Sequence, residues 1–366
     1  MNRLTAIGLA SLAAYALLIA TKYAGVVSAA REDKGPRAGV VASIPEDDTP
    51  AAAFPGGASR VDRAVLALSP AVVKSEHRAS AIAVEFRQSR DLKAFADALF
   101  ARKSDLTAEE RYHLAKALEE CQFATSLTED ISTYAAKQRR QFLAALPVND
   151  PNNTKRIAAY ESVDNTQRCA HFQGTKISPK DIDELLQAAA QEGDVRAQAR
   201  MLVADLTRNA SAQQHSDAGA QSPVLGADDF SRIIGLLESH DPEAMIIVGQ
   251  FLAQSSIASQ LRIGPNGEVP EPSSFLGAFS LVACDLGPDC TSLSREPQLA
   301  CAYGGYCSSQ SFEELYQNFL ASPWAYAQAA RYRDYIHTAI NTQQWSFLGL
   351  SPPILDKRVA QSGGLK

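Results

Sequence analysis

The chain of 366 residues contains no HExxH pair, no GxxxxGKS-type loop, no GxGxxG after a strand pattern and no GxSxG elbow. The enzyme classes built on those devices lose their usual signature. Its six histidines, at 77, 113, 171, 215, 240 and 337, never stand four apart, so no helix face presents two imidazoles to a metal. His113, inside an amphipathic segment, reads as a surface or boundary residue rather than a ligand. Basic charge is not in excess either: 35 Lys plus Arg face 41 Asp plus Glu, a formal charge of −6, which argues against nucleic acid as a partner. No run of alternating apolar residues is long enough to assemble a sheet. No cysteine precedes residue 121, which removes lipid attachment at a processed N-terminal cysteine.

Residues 4–20 read LTAIGLASLAAYALLIA, a stretch of 17 without charge, preceded by Arg3 and followed by Lys22. This is the layout of a signal sequence. As a helix it covers roughly 25 Å, slightly less than the hydrocarbon thickness, so an uncleaved anchor with Lys22 snorkelling is the second option. Val27, Ser28 and Ala29 favour cleavage after Ala29 or Ala30. Either way the remainder leaves the cytoplasm, with membrane contact only through residues 1–30 where they are retained. Without Arg3 and Lys22, 33 basic side chains remain against 41 acidic ones, too few for a polybasic grip on anionic lipid. Residues 31–60, rich in Pro, Gly, Ala and charge, read as a flexible linker.

Six cysteines, Cys121, Cys169, Cys284, Cys290, Cys301 and Cys307, are an even count in a chain bound for an oxidising compartment. Locality pairs Cys121 with Cys169. The later four form two C-x5-C units with turn formers between the sulfurs, Gly287-Pro288 and Gly304-Gly305. Sequential pairing is the first choice, crossed pairing of 284 with 301 and 290 with 307 the second. A zinc site of four thiolates competes, but its spacings are wider than the usual knuckles.

Alanine is about one residue in six, a composition that favours helix. Caps mark the segments. Ser89 precedes RDLKAFADALFARK; Thr107-Ala-Glu-Glu110 is a capping box; Thr128 opens EDISTYAAKQRRQFLAAL; Asn152 or Asn153 opens a helix reaching Phe172. Ser178-Pro179 and Ser322-Pro323 each pair an N-cap with proline at the first helical position. The predicted fold is all-α, with an N-terminal helical region at 61–176, a repeat region with a cysteine-rich cap at 177–348 and a frayed tail at 349–366.

Between residues 179 and 300 the helices recur in pairs. DIDELLQAAAQEG turns at Gly193-Asp194 into VRAQARMLVADL, and DDFSRIIGLLESH turns at His240-Asp241-Pro242 into EAMIIVGQFLAQSS. SFLGAFSLVACDLG turns at Pro288-Asp289 into a shorter, cysteine-stapled partner, so the turn aspartates lie 47 and 48 residues apart. Such a period is what stacked helical hairpins produce. Each aspartate is placed to cap the next helix, with Ala197 or Ala244 permitting close approach. The segments AAAQEGDVRAQARML and LLESHDPEAMIIVGQFL resemble the turn regions of Sel-one-like and tetratricopeptide-like repeats. The resemblance implies an α-solenoid of antiparallel hairpins used for protein contacts. Inserted loops at 209–226 and 259–273 lengthen the period, and the family's regular Gly and aromatic positions are mostly absent.

The carboxylate pairs Glu109-Glu110, Glu119-Glu120 and Glu313-Glu314 are the material for a glycan-cleaving site, but neighbours on a helix point about 100° apart. Eleven aromatic residues fall between 303 and 347. Among them Trp324 and Tyr335 share a helical face with Arg331, a mixture found at interface hot spots. The competing reading has that stripe closing the end of the helical stack. The expected protein is a disulfide-stapled interaction module of the bacterial envelope, periplasmic or secreted, binding another envelope protein and using no cofactor or metal. The enzyme alternative is a periplasmic hydrolase acting on peptidoglycan through one catalytic Glu, and the third option is a structural factor without a ligand.

Overall fold

The computed structural model describes residues 80–102, 105–216, 225–287, 290–292 and 294–350, within a unit spanning Ser69–Lys366. The export segment 1–30, the linker 31–60 and residues 351–366 of the tail lie outside the described residues. The described elements are helices: α1 (Ala81–Gln88), α2 (Leu92–Phe100), α3 (Ala108–Thr125), α4 (Ile131–Ala145), α5 (Asn153–Val163), α6 (Pro179–Gln191) and α7 (Val195–Ser216). They continue with α8 (Ala227–Glu238), α9 (Pro242–Leu252), α10 (Ser255–Ala258), α11 (Pro272–Asp285), α12 (Arg295–Leu299), α13 (Phe312–Leu315) and α14 (Pro323–Thr342). Short 3-10 turns at Ala170–Phe172 and Trp345–Leu348 and π turns at Ala300–Gly304 and Tyr316–Leu320 fill the gaps. Extended pairing among the described residues is limited to two isolated bridges, Ile263 with Glu268 and Thr291 with Ser311. No described helix is long and apolar enough to cross a membrane.

Several helices start where their caps predict. Thr107 and Glu110 exchange side chain and backbone in a capping box, Ser178 does the same with Asp181, and the Ser322 hydroxyl accepts from the Ala325 amide. Two starts shift by two residues. Asp91 rather than Ser89 caps α2, accepting from Lys93 and Ala94, and Asp130 rather than Thr128 caps α4. A carboxylate takes both amides of the first turn, whereas Ser89 is left as the C-cap of α1. The helix expected to reach Phe172 stops at Val163, because Asp164 turns its carboxylate onto the amide and hydroxyl of Thr166, each at 2.9 Å. Such local bonding competes with the helical ladder.

Sequential helices pack on one another. α3 lies against α6, α6 against α7, α7 against α8 and α9, and α9 against α11. The two full hairpins turn as expected, and their aspartates cap alike: Asp194 Oδ1 accepts from the Ala197 amide at 2.9 Å and Asp241 Oδ1 from the Ala244 amide at 2.8 Å. Ala197 and Ala244 are wholly buried. The equivalent Asp289 lies outside the described residues, and α7 runs on to Ser216 into the stretch expected as loop.

The third hairpin differs. α11 packs between α9 and α14, while α12 turns away to lie against α5 and the 300–304 π turn. The five-residue α12, REPQL, is too short and polar to cover Phe275, Phe279 and Val282 of α11, all wholly buried. α14 supplies Tyr332, Ile336, Ala339 and Ile340 in its place. One apolar cluster joins α2 and α3 to α6 and the start of α7, and a second joins α7, α8, α9, α11 and α14.

The cysteines stand paired as disulfides in the sequential order, Cys121 with Cys169, Cys284 with Cys290 and Cys301 with Cys307. This removes the crossed alternative and the zinc reading together. Cys121 sits on the buried face of α3 with Leu114 and Leu118, so the first bridge closes its loop inside the N-terminal core. That closure contributes about 4 kcal/mol in the chain-entropy model. Disulfides of this kind persist in an oxidising, extracytoplasmic environment.

Candidate functional site

The aromatic stripe of α14 divides in two. Arg331 donates to Glu268 Oε2 at 2.8 Å and lies over the Tyr332 ring. The Tyr335 ring covers Gly264, where a Cβ would come within 2.5 Å of its edge. These two side chains hold the 263–268 turn against the helix. Trp324, at the second position of α14, is 60% exposed. Phe319, in the π turn on the other side of the Ser322 cap, is also exposed and stacks on Tyr306 at 4.8 Å. Trp345, in contrast, is buried and donates its indole N–H to Glu238.

A second feature was not legible as a site in the sequence. A cleft of about 290 Å³ is lined by Phe123, Tyr134, Tyr160 and Tyr303, with Gln138, Asp164, Asn165 and Arg295 among its polar groups. Tyr160 of α5 stacks on Phe142 of α4 with ring centres 4.2 Å apart, and Tyr303 meets both edge-on at 5.7 and 6.3 Å. The π turn that projects Tyr303 is closed by the Cys301–Cys307 bridge. It is also anchored by Arg156, whose Nε donates to the Ala302 carbonyl at 3.0 Å and whose Nη2 donates to that of Tyr303 at 3.2 Å. Asp150 takes the remaining Nη1 at 2.9 Å. Burial, reinforced by the Asp164 carboxylate, pushes the Tyr160 hydroxyl up to about 12 and raises Tyr303 as well, so both stay neutral donors. The only sequence signal was Tyr303 within an aromatic-rich segment; most of its partners come from residues 123–166, with Arg295 and Leu299 beside it.

A third cluster gathers charge where α3 meets α7 and α9. Glu243 Oε1 accepts from the Tyr112 hydroxyl at 2.6 Å and from Lys116 Nζ at 2.8 Å. Arg196 bridges Asp194 and Glu109, and its guanidinium lies 4.8 Å from the Tyr112 ring centre. Arg200 forms a two-pronged pair with Glu119. Burial alone would raise the Glu243 carboxyl, but the Lys116 charge and the bonds from Lys116 and Tyr112 outweigh it and hold it at about 2. Since Lys116, Arg196 and Arg200 each have a carboxylate partner, the cluster works as a clamp between helices rather than an open site.

His113, expected near the surface, is instead 3% exposed and stacked on Phe86, and neither ring nitrogen has a hydrogen-bond partner. The amphipathic pattern of α3 misleads because the helix is covered on several sides, by α1, α2 and α6. Burial, with Lys116 and Arg196 nearby, lowers the imidazole to about 4 and keeps it neutral.

The adjacent carboxylates are divided between different partners. Glu109 takes Ser80 and Arg196 while Glu110 closes the Thr107 cap; Glu119 pairs with Arg200 and Glu120 with Arg168. Glu313 pairs with Arg333, and Glu314 accepts from the Gln310 amide. None of these glutamates lines the aromatic cleft. Against family models, curated proteins and solved structures alike, the chain finds no match.

Proposed function

We propose that this protein is an exported α-helical repeat protein that acts as a protein-protein interaction module in the bacterial cell envelope, without a catalytic centre. Its hairpins stack in the manner of Sel-one-like and tetratricopeptide-like solenoids, and its partner is another envelope protein. Support comes from the successive packed helix pairs, from the matching caps at Asp194 and Asp241, and from three disulfides suited to an oxidising compartment.

The observation that carries the reading is Trp324. A tryptophan that closed the end of a helical stack would be buried, whereas this one is 60% exposed with Phe319 exposed beside its cap. Large exposed aromatics bring contact area at little entropic cost and are enriched among binding hot spots. The test is affinity capture from envelope extracts with the tagged protein and its Trp324→Ala variant. Loss of a captured protein with an unchanged melting temperature supports the module; an unchanged capture profile, or a variant that unfolds, counts against it.

A further inference from the structure

We propose that the cleft between Tyr134, Tyr160 and Tyr303 is a non-catalytic binding site for a neutral saccharide chain. The proposal goes beyond the partner surface at Trp324 and rests on other residues, since neither Trp324 nor Phe319 lines the cleft.

The first argument is the aromatic wall. Tyr303 is 58% exposed, yet its backbone is fixed by the Cys301–Cys307 bridge and by Arg156, and its ring packs roughly perpendicular to those of Phe142 and Tyr160. A rigid, wet aromatic face is suited to the C–H-lined face of a sugar ring, where contact is dispersive and non-ionic.

The second argument is the unused polar inventory. Among the described residues, the hydroxyls of Tyr134, Tyr160 and Tyr303, the side-chain amides of Gln138 and Asn165, and the Arg295 guanidinium make no hydrogen bond. Phenols and amides both donate and accept. A polyhydroxyl ligand has the same dual character, so it satisfies such a set without leaving a charge unmatched.

Charge and size narrow the class. The polar lining holds one carboxylate, Asp164, and one guanidinium, Arg295, which favours neither an anionic nor a cationic ligand. At about 290 Å³ the cleft lies at the small end of ligand pockets, enough for a short stretch of sugar rings. Most glycoside hydrolysis uses two carboxyl groups flanking the bond, whereas the lining carries a single one, Asp164, with both oxygens bonded to Thr166, an arrangement that favours holding a chain over cutting it.

The test titrates the purified full chain with chitotetraose and with cellotetraose, followed by calorimetry and saturation-transfer NMR. Saturable binding of either sugar is expected, weakened about tenfold by Tyr303→Ala. Gln138→Ala, which removes no ring contact, is expected to weaken it with an unchanged melting temperature, so a folding defect in the tyrosine variant does not decide the matter. Trp324→Ala is expected to leave sugar binding intact, which lets this proposal and the partner-surface reading fail separately. Absence of binding by both sugars at millimolar concentration overturns the proposal, as does binding indifferent to Tyr303 and Gln138. Capture of an envelope protein that depends on Tyr303 while no sugar binds overturns it in favour of a peptide-docking cleft.

Discussion

The Tyr112 hydroxyl donates to Glu243 Oε1 at 2.6 Å across 131 residues of chain, tying α3 to α9, the second helix of the second hairpin. The same oxygen accepts from Lys116, so one carboxylate holds two residues of α3. Leaving Tyr112, which is wholly buried, without that acceptor costs the desolvation of its hydroxyl.

Acid should therefore loosen this clamp. The Glu243 carboxyl is held at about 2 in the folded chain against an ordinary value of 4.5, so its contribution is fully present above about pH 4.5 and is lost as pH falls through about 2. The side chain is 38% exposed, so water screens the pair and the effect is modest. Urea unfolding between pH 5 and 2 is expected to show a falling midpoint that Glu243→Gln flattens. Parallel profiles for the two proteins would refute the assignment.

A different window belongs to His113. Its folded value of about 4 lies below the ordinary 6.5, so the unfolded chain takes up the proton first and stability declines as pH drops from about 6.5 to 4. At 3% exposure the full difference amounts to ~3 kcal/mol. His113→Leu removes two unpaired buried nitrogens and is expected to stabilise by about 1 kcal/mol at pH 7. It should also level the profile over that window, as thermal melts across the same pH series will show.

Close approach of α9 and α11 depends on Gly249. A Cβ there would lie 2.4 Å from Phe279 Cγ and 2.5 Å from its Cβ, atoms near the backbone that have little freedom to retreat. Alanine has the better helix propensity by about 1 kcal/mol, but overpacking a wholly buried phenylalanine costs more. Gly249→Ala is expected to destabilise by about 1–3 kcal/mol in urea unfolding. A gain in stability would mean that the two helices have room to separate.

What residues announce at short range was readable in advance. The Thr107, Ser178 and Ser322 caps act within three or four positions, and so do the turn aspartates 194 and 241. Each C-x5-C bridge likewise closes over six positions. The errors came where neighbours compete. Ser89 and Thr128 gave way to nearby carboxylates, and the helix through Asp164 broke because that side chain bonds Thr166.

The sequence by itself determined the all-α class and the turns at Asp194 and Asp241, since each depends on groups a few residues apart along the chain, and it ranked the sequential sulfur pairing first while leaving the crossed one open. The Cys121 to Cys169 bridge, 48 positions long, followed from locality, because the other four cysteines cluster near the C-terminus. Only the tertiary structure decided that α14, not α12, covers α11, that His113 is buried, and that Tyr134, Tyr160 and Tyr303 share a cleft. These outcomes rest on which apolar faces are long enough to cover one another, and on side chains meeting across more than 100 residues. No local period or cap records such meetings.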